Sequence, residues 1–338
     1  MTGHSVPNQD VIVSSRVRLA RNYADIPFSP QMDEGWAAET IGRASEAMMD
    51  EGNAYELVRM AQLCEDERKQ LVEHHLVSYD LLRFEPVSAA LISAEKTVSI
   101  MINEEDHLRI QGLLEGMQLA KVAELAFSVD DKLGASYPYA FDEQWGYLTS
   151  CPTNTGTGMR ASLMMHLPAL NATGKLGAVL QAFSKLGLTV RGFYGEGSEA
   201  QGNLYQMSNQ VTLGRTEEDM IETLMAAAMQ IVDHERSMRE MLRDGEGLSM
   251  IDRLMRSVGV MGHARLMDGR EFMQRYSDLR VLAAMGVVNA DLTKLDQLMM
   301  DLQPGTLNVR AGETLSEQAR RAMRADLLRA YIQTIAAR

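Results

Sequence analysis

Residues 150–162 read SCPTNTGTGMRAS. One of the chain's two cysteines stands there beside a proline, an asparagine, a run of small residues and an arginine. The grouping serves neither helix nor strand propensity. It reads as backbone fitted around a bound group. On either side the pattern turns regular. GYLTSCP (146–152) reads as a strand entering the motif, and MRASLMMHLPAL (159–170) as a strand leaving it.

Working outward, TGKLGAVLQAFSKLG (173–187) predicts a helix, LTVRGFYGEG (188–197) a strand and Gly-rich loop, and GNLYQMSNQVTLG (202–214) a further strand. Thr216 with Asp219 resembles a helix-start box and opens a long helix to about residue 243. Upstream, residues 29–52 predict a helix with Ser29 as N-cap and Pro30 in its first turn, and EDERKQLVEHHLV (65–77) a second. KTVSIMIN (96–103) alternates as a strand, and residues 104–133 read as one long amphipathic helix. Several strand-to-strand connections are too short for crossover helices. The expected class is therefore α+β, a mainly antiparallel sheet flanked by helices. After RDGEG (243–247) strand signals nearly vanish, and QPGTLN (303–308) breaks the helices near the end. Two domains are expected, 1–243 and an all-helical 244–338.

Composition bounds the function. The chain has 338 residues, 46% hydrophobic and 23% charged, as an ordinary globular protein does. A net charge of −13 argues against a nucleic-acid footprint, which needs a basic face. No stretch approaches the ~20 apolar residues of a membrane span. The N-terminus lacks the pattern of a signal peptide. Cys64 and Cys151 build neither a disulfide scaffold nor a metal cluster, so no metal site is expected, and the expected compartment is the cytoplasm.

Five arginines sit at element edges or beside small residues. Arg16 and Arg18 in VIVSSRVRLARN fall at period two, on one face of a strand. Arg109 follows NEEDHL, Arg160 the Gly/Thr run, and Arg191 opens RGFYGE. Guanidinium forks match phosphate oxygens in pairs, and a triphosphate carries about three to four negative charges. No P-loop is present: ATGKLG (172–177) lacks its first glycine and its Ser/Thr, and GEGSEAQG (195–202) misplaces its third glycine. Taken singly, these residues have plainer explanations. Arg16 and Arg18 could be a solvated strand face. Glu105 and Arg109 could be an i,i+4 surface pair at a helix start. Cys151 could be a buried small hydrophobe, Gly192 and Gly195 a turn, and His75 a packed histidine.

Their order in the chain decides between these readings. SSRVRLARN, NEEDHLRI, CPTNTGTGMRAS and RGFYGEG, in that sequence, strongly resemble the catalytic domain of the guanidino (phosphagen) kinases over roughly residues 10–240. The resemblance implies that fold, ATP and Mg²⁺. It implies that Arg16, Arg18, Arg109, Arg160 and Arg191 hold the phosphates and that His75 lies by the adenine. The nucleotide-binding stretches it implies are Ser14, Ser15, Arg16, Val17 and Arg18; Arg160, Ala161, Ser162, Leu163 and Met164; and Arg191, Gly192, Phe193, Tyr194 and Gly195. Glu105 and Glu196 would hold the substrate guanidinium, with Cys151 against it. The chemistry asks for these types independently. Two carboxylates can fix a planar guanidinium in line and one can take its proton, while arginines stabilise the transferring phosphoryl. A thiol near those cations is pushed toward thiolate.

Small-molecule phosphagen kinases carry a helical domain before the SSRVR strand, where this chain has about a dozen residues. A helical segment follows, and Tyr194 stands where they usually have a second arginine. These features resemble the bacterial branch that phosphorylates arginines in proteins. That branch implies protein substrates, a zinc-binding activator protein, a Clp-type unfoldase, a role in stress response and a homodimer. One motif departs. EQARRA (317–322) matches the branch's Arg-Asp-x-x-Arg-Ala phosphoarginine site at Arg321 and Ala322, but Glu317 and Gln318 replace Arg and Asp, and Arg320 or Arg324 is left to compensate. Two alternatives stay open: a free-arginine or other small-guanidine kinase, and a non-catalytic adaptor of a repressor or Clp chaperone.

Overall fold

The computed structural model describes residues 6–28, 32–49, 54–192 and 201–335. Its strands are β1 (Ile12–Arg21), β2 (Tyr55–Arg59), β3 (Ala89–Ser93), β4 (Val98–Ile102), β5 (Leu108–Glu115), β6 (Phe141–Asp142), β7 (Gly146–Tyr147), β8 (Met159–His166), β9 (Leu188–Gly192) and β10 (Leu204–Asn209). Eight of them form one sheet in the order β2-β3-β4-β5-β1-β8-β10-β9, and β6 pairs with β7. Every neighbouring pair in the large sheet is antiparallel, the pairs β3–β4, β4–β5 and β9–β10 through short connections.

Three helices cover one face of the sheet: α1 (Glu34–Met48), α3 (Leu119–Ser136) and α6 (Glu217–Glu246), while α2 (Glu65–Glu73) lies elsewhere. Val17 and Leu19 of β1, Ile110 of β5 and Leu163 of β8 pack there with Val122, Ala126 and Leu133 of α3 and Leu224 and Ile231 of α6. After β8 come the short α4 (Pro168–Ala172) and α5 (Leu176–Ser184). The C-terminal region is helical: α7 (Leu248–His263), α8 (Gly269–Ala284), α9 (Leu292–Asp301), α10 (Pro304–Ala311) and α11 (Glu317–Ile332), around a second apolar cluster. Several joints tie these helices to the sheet-bearing part, among them those of Arg280 and Glu73. Arg280 of α8, fully buried, pairs with Asp296 of α9 at 2.8 Å and donates to the carbonyls of Gln9 and Asp10. Glu73 of α2 accepts from the backbone N–H groups of Gly305 and Thr306, capping α10. α10 lies so close to α2 that a Cβ on Gly305 would stand 2.6 Å from the Lys69 Cβ.

Several expectations need correction. Residues 104–133 are not one helix. Leu108–Glu115 is strand β5, laddered to both β1 and β4, and the helix begins only at Leu119. Tertiary pairing overrides local periodicity here. Gly112, with no side chain, lets Val122 of α3 pack onto the strand, where a Cβ would meet it at 3.0 Å. The strand expected through GYLTSCP is two residues long. The strand expected through residue 170 ends at His166, because Pro168 starts α4. QPGTLN is mostly helix, with Pro304 in the first turn of α10. Asp33, accepting from Trp36 N–H, caps α1, and Ser29 and Pro30 lie outside the described residues. The five-residue strands β2 and β3 are not apparent in the sequence.

Arg21 and Asp130 fasten the core side of β1 to α3. The Arg21 guanidinium pairs with Asp130 at 2.6 Å, donates to the carbonyls of Ala20 and Thr157 (each 2.9 Å), and sits 3.5 Å from the Tyr147 ring centroid. Arg21→Leu leaves Asp130 charged and unpaired in the interior, so urea unfolding should show a loss of about 3–5 kcal/mol. Replacing Asp130 by Leu as well should recover most of it.

Candidate active site

The sheet face opposite those helices collects the arginines. On β1, Ser14, Arg16 and Arg18 alternate with Ser15 and Val17, which face the core. Register then decides the neighbours. Arg18 lies opposite Arg160 and Arg16 opposite Ser162 on β8, Ala20 opposite Arg109 on β5, and Gln206 of β10 opposite Arg191 of β9. Arg16, Arg18, Arg109, Arg160 and Arg191 thereby line one cleft of about 360 Å³ with Gly192, Glu105, Asp80, Thr153 and Asn154.

Neutral hydroxyls hold two of these cations. Arg160 donates to the Ser208 hydroxyl at 3.2 Å, and Arg16 to that of Ser162 at 3.4 Å. The Arg18 Nε is buried with no hydrogen-bond partner among the described residues. Burial, then the charges of Arg160 and Arg109, pull Arg16 down to about 10. Burial, then Arg16, Arg109 and Arg160, hold Arg18 well below the usual guanidinium range, against the pull of Glu104. Crowded, partly desolvated guanidinium groups of this kind fit a polyanion.

Arg109 is anchored differently. Its Nη1 donates to Glu104, a carboxylate only 1% exposed, at 2.7 Å, and its Nη2 stands 3.6 Å from Glu105. The Ser78 hydroxyl also donates to Glu104. Glu105 therefore lies in a turn before β5 and not at a helix start, the setting expected for it and Arg109. Burial, then the neighbouring Asp106, raises its carboxyl above the usual range, while Arg109 and a hydrogen bond with Cys151 oppose the rise. The Cys151 Sγ is 3.0 Å from the Thr153 hydroxyl.

The rest of NEEDHLR fixes that turn. Asn103, at φ 61°, donates to the carbonyls of Ala37 and Val87. Asp106 accepts from the Asn22 amide and from Ser150 N–H, each at 2.7 Å, joining the turn to the Cys151 loop. His107 accepts from Tyr23 N–H at Nδ1, so its Nε2 carries the proton donated to the Pro27 carbonyl. The small residues of the opening motif now have a cause. Gly156, at φ +115°, admits no side chain, since a Cβ would stand 2.3 Å from the Thr212 carbonyl. Gly158, at φ +64°, would meet the Ala20 carbonyl and the Arg21 guanidinium, each at 2.6 Å.

Not every expected residue reaches the cleft. Ser15 is fully buried, its hydroxyl donating to the Gly116 carbonyl and accepting from Gln118 N–H. Val17, Ala161 and Leu163 lie in the core. Ser14, His75 and Met164 line a different cavity, of about 670 Å³. Burial, then the Arg16 charge, drives the His75 imidazole down to about 4. Phe193, Tyr194, Gly195 and Glu196 lie outside the described residues. Sequence reasoning does not find Glu104, Ser208 or Gln206: Glu104 stands beside the more conspicuous Glu105, and β10 carries no recognised motif. Arg324 cannot replace the missing charges of EQARRA. It is buried, and its guanidinium donates to the carbonyls of Leu302 and Met267, each at 2.9 Å. Glu317 sits in the first turn of α11, where a carboxylate suits the helix dipole.

The description "ATP:guanido phosphotransferase, C-terminal catalytic domain" matches residues 37–238. The chain belongs to this family. As an ATP:guanido phosphotransferase it also matches, over residues 248–338, the description "Protein-arginine kinase McsB C-terminal domain". It is 43% identical to the protein-arginine kinase of Caldanaerobacter subterraneus over 334 residues, 97% of each chain. It is 43% identical to that of Geobacillus stearothermophilus over 328 residues, 96% of this chain and 90% of the relative. Among solved structures, lombricine kinase shares the fold at TM-score 0.60 and 23% identity, over 69% of this chain and 68% of that one. The duplicated taurocyamine kinase of Schistosoma mansoni with transition-state-analogue components aligns at TM-score 0.59 and 26% identity, over 70% of this chain and 34% of its own. Among the described residues, no helix is long and apolar enough to cross a membrane.

If the arginine face is a polyanion site, inorganic tripolyphosphate should raise the melting temperature, and the rise should shrink as salt goes from about 50 to 200 mM. Arg18→Met should reduce that rise. It should also stabilise the ligand-free protein, by roughly 0.5–2 kcal/mol, because it removes one crowded charge.

Proposed function

We propose that this phosphotransferase moves the γ-phosphoryl group of ATP to arginine side chains within proteins. The observation that carries the reading is that five arginines and Glu105 line the same cleft. The relatives named protein-arginine kinase, matched over almost the whole chain, support the substrate class.

In this reading Arg16, Arg18, Arg109, Arg160 and Arg191 bind the phosphate chain and follow its charge as it spreads in the transition state. Glu104 holds Arg109 at the required angle. Neutral His75 and Met164 border the base. Glu105 orients the substrate guanidinium and accepts its proton at a carboxylate oxygen, with Glu196 as the second carboxylate. Cys151, hydrogen-bonded to Glu105, contacts the guanidinium edge. Mg²⁺ supplies further charge neutralisation when bound to the phosphates. Phosphate and water oxygens would be its main ligands.

The proposal extends to two units, residues 1–243 and 244–338; an apolar cluster drawn mainly from α7 to α11 supports it, although Val13 and Leu204 join that cluster and α6 runs on to Glu246. It extends to a cytoplasmic homodimer that works in stress response with a zinc-binding activator and marks proteins for a Clp unfoldase.

The test is transfer from Mg-ATP to an unfolded arginine-rich protein, with free arginine in parallel, read by mass spectrometry under non-acidic conditions that spare the P–N bond. Phosphoarginine on the protein, lost by at least about a hundredfold in Glu105→Gln, is expected. Transfer to free arginine alone would make it a small-guanidine kinase. Retention of cellular function by Glu105→Gln would make it an adaptor. Because the Glu105 carboxyl holds its proton to a higher pH than usual, kcat/KM should fall on the acid side with a midpoint above 4.5.

A further inference from the structure

Exposed apolar side chains gather beside the cleft. Phe141 is 58% exposed, Trp145 48%, Val211 46% and Leu213 43%. The first two belong to the β6–β7 hairpin, and the others follow β10. Close backbone contacts join them into one ridge. A Cβ on Gly146 would stand 2.5 Å from the Gly156 carbonyl oxygen, and one on Gly156 would stand 2.9 Å from the Leu213 Cα. The ridge is also fastened to the loop that carries Cys151. Tyr147 N–H donates to the Gly156 carbonyl at 2.8 Å, and the Thr212 hydroxyl bonds the carbonyls of Thr153 and Thr155 at 3.0 and 2.7 Å. Thr153 in turn lines the cleft. Four large apolar side chains left exposed on joined segments next to a polar site fit a contact surface.

Its charge names the occupant. Asp142 and Glu143 sit on the hairpin; burial raises the Tyr147 hydroxyl, and beyond the paired Arg21 and Asp130 it feels Glu217 and Asp131, with Arg215 as the counter-charge in that stretch. An apolar ridge with an acidic surplus complements a segment that is apolar and cationic. We infer that the ridge is a docking surface for an extended polypeptide, and that it seats the apolar side chains flanking the arginine whose guanidinium enters the cleft. The inference rests on the proposed protein-arginine kinase reading. A free guanidine reaches the cleft without touching the ridge, whereas a polypeptide that presents an arginine there must cross the rim. The ridge then selects arginines with apolar neighbours, which folded proteins keep covered.

Two peptides of equal length and charge test this, one with Gly/Ser flanks around the arginine and one with Leu/Phe flanks. The wild type should show a KM about tenfold lower for the second. Trp145→Ser with Leu213→Ser should bring the two KM values together, with a thermal melt to confirm folding. Binding is read separately from catalysis. The chain has two tryptophans, so in a Trp36→Phe background Trp145 reports alone. Its emission should shift to the blue on adding the Leu/Phe peptide without nucleotide. Equal KM values in the wild type, or an unchanged emission, overturn the inference. If neither peptide is phosphorylated, the kinase reading fails while the emission titration still decides the ridge. A change of sedimentation in Trp145→Ser would make the ridge a contact between copies of the chain, and that also overturns it.

Discussion

Guanidinium groups crowded on one face of a sheet repel one another, and the rest of the molecule is arranged to hold them there. Arg16 and Arg18 share β1, and Arg160 is opposite Arg18 on β8. Serine hydroxyls orient Arg16 and Arg160 and leave their charge in place. That arrangement is unfavourable in the free protein and favourable once a polyanion lies across it. The eight-stranded ladder and the helices behind it supply the opposing stability, because a laddered strand cannot let one side chain drift without breaking its neighbours' hydrogen bonds.

The Glu105 side of the cleft is built by a different device. Glu105 and Cys151 come from segments far apart in sequence, and Asp106 joins them by accepting at once from Asn22 and from Ser150 N–H. Arg21 closes the same assembly from the core side through Asp130, Thr157 and Tyr147. The NEEDHLR and CPTNTGTGMR stretches are thus one structural unit. Asn103, Asp106 and His107 of the first and the glycines of the second keep the two loops in register.

Much of the site is legible in the amino-acid sequence. Arg16 and Arg18 announce a shared face by their spacing, since a strand has a period of two. The helix capped by Thr216 is legible from its cap. The character of residues 108–115 is not, because LRIQGLLE satisfies helical spacing as well as a strand ladder does. Only β1 and β4 on either side decide it. Arg324 shows the same limit. A basic residue on a helix reads as solvated, and nothing local reveals that Leu302 and Met267 turn carbonyls toward it.

The sequence by itself determined the chemical inventory: which arginines, which carboxylates, the lone cysteine among small residues, and the chain order that places them in a family. Inventory and order are properties of the covalent chain and survive without a fold. Only the tertiary structure decided which of those groups meet. Strand register set Arg160 against Arg18, the buried Glu104 took hold of Arg109, and Ser15 and Leu163 were turned to the core. Pairing across a sheet and burial beneath a helix depend on what other segments, many of them far along the chain, bring alongside, and no local pattern carries that information.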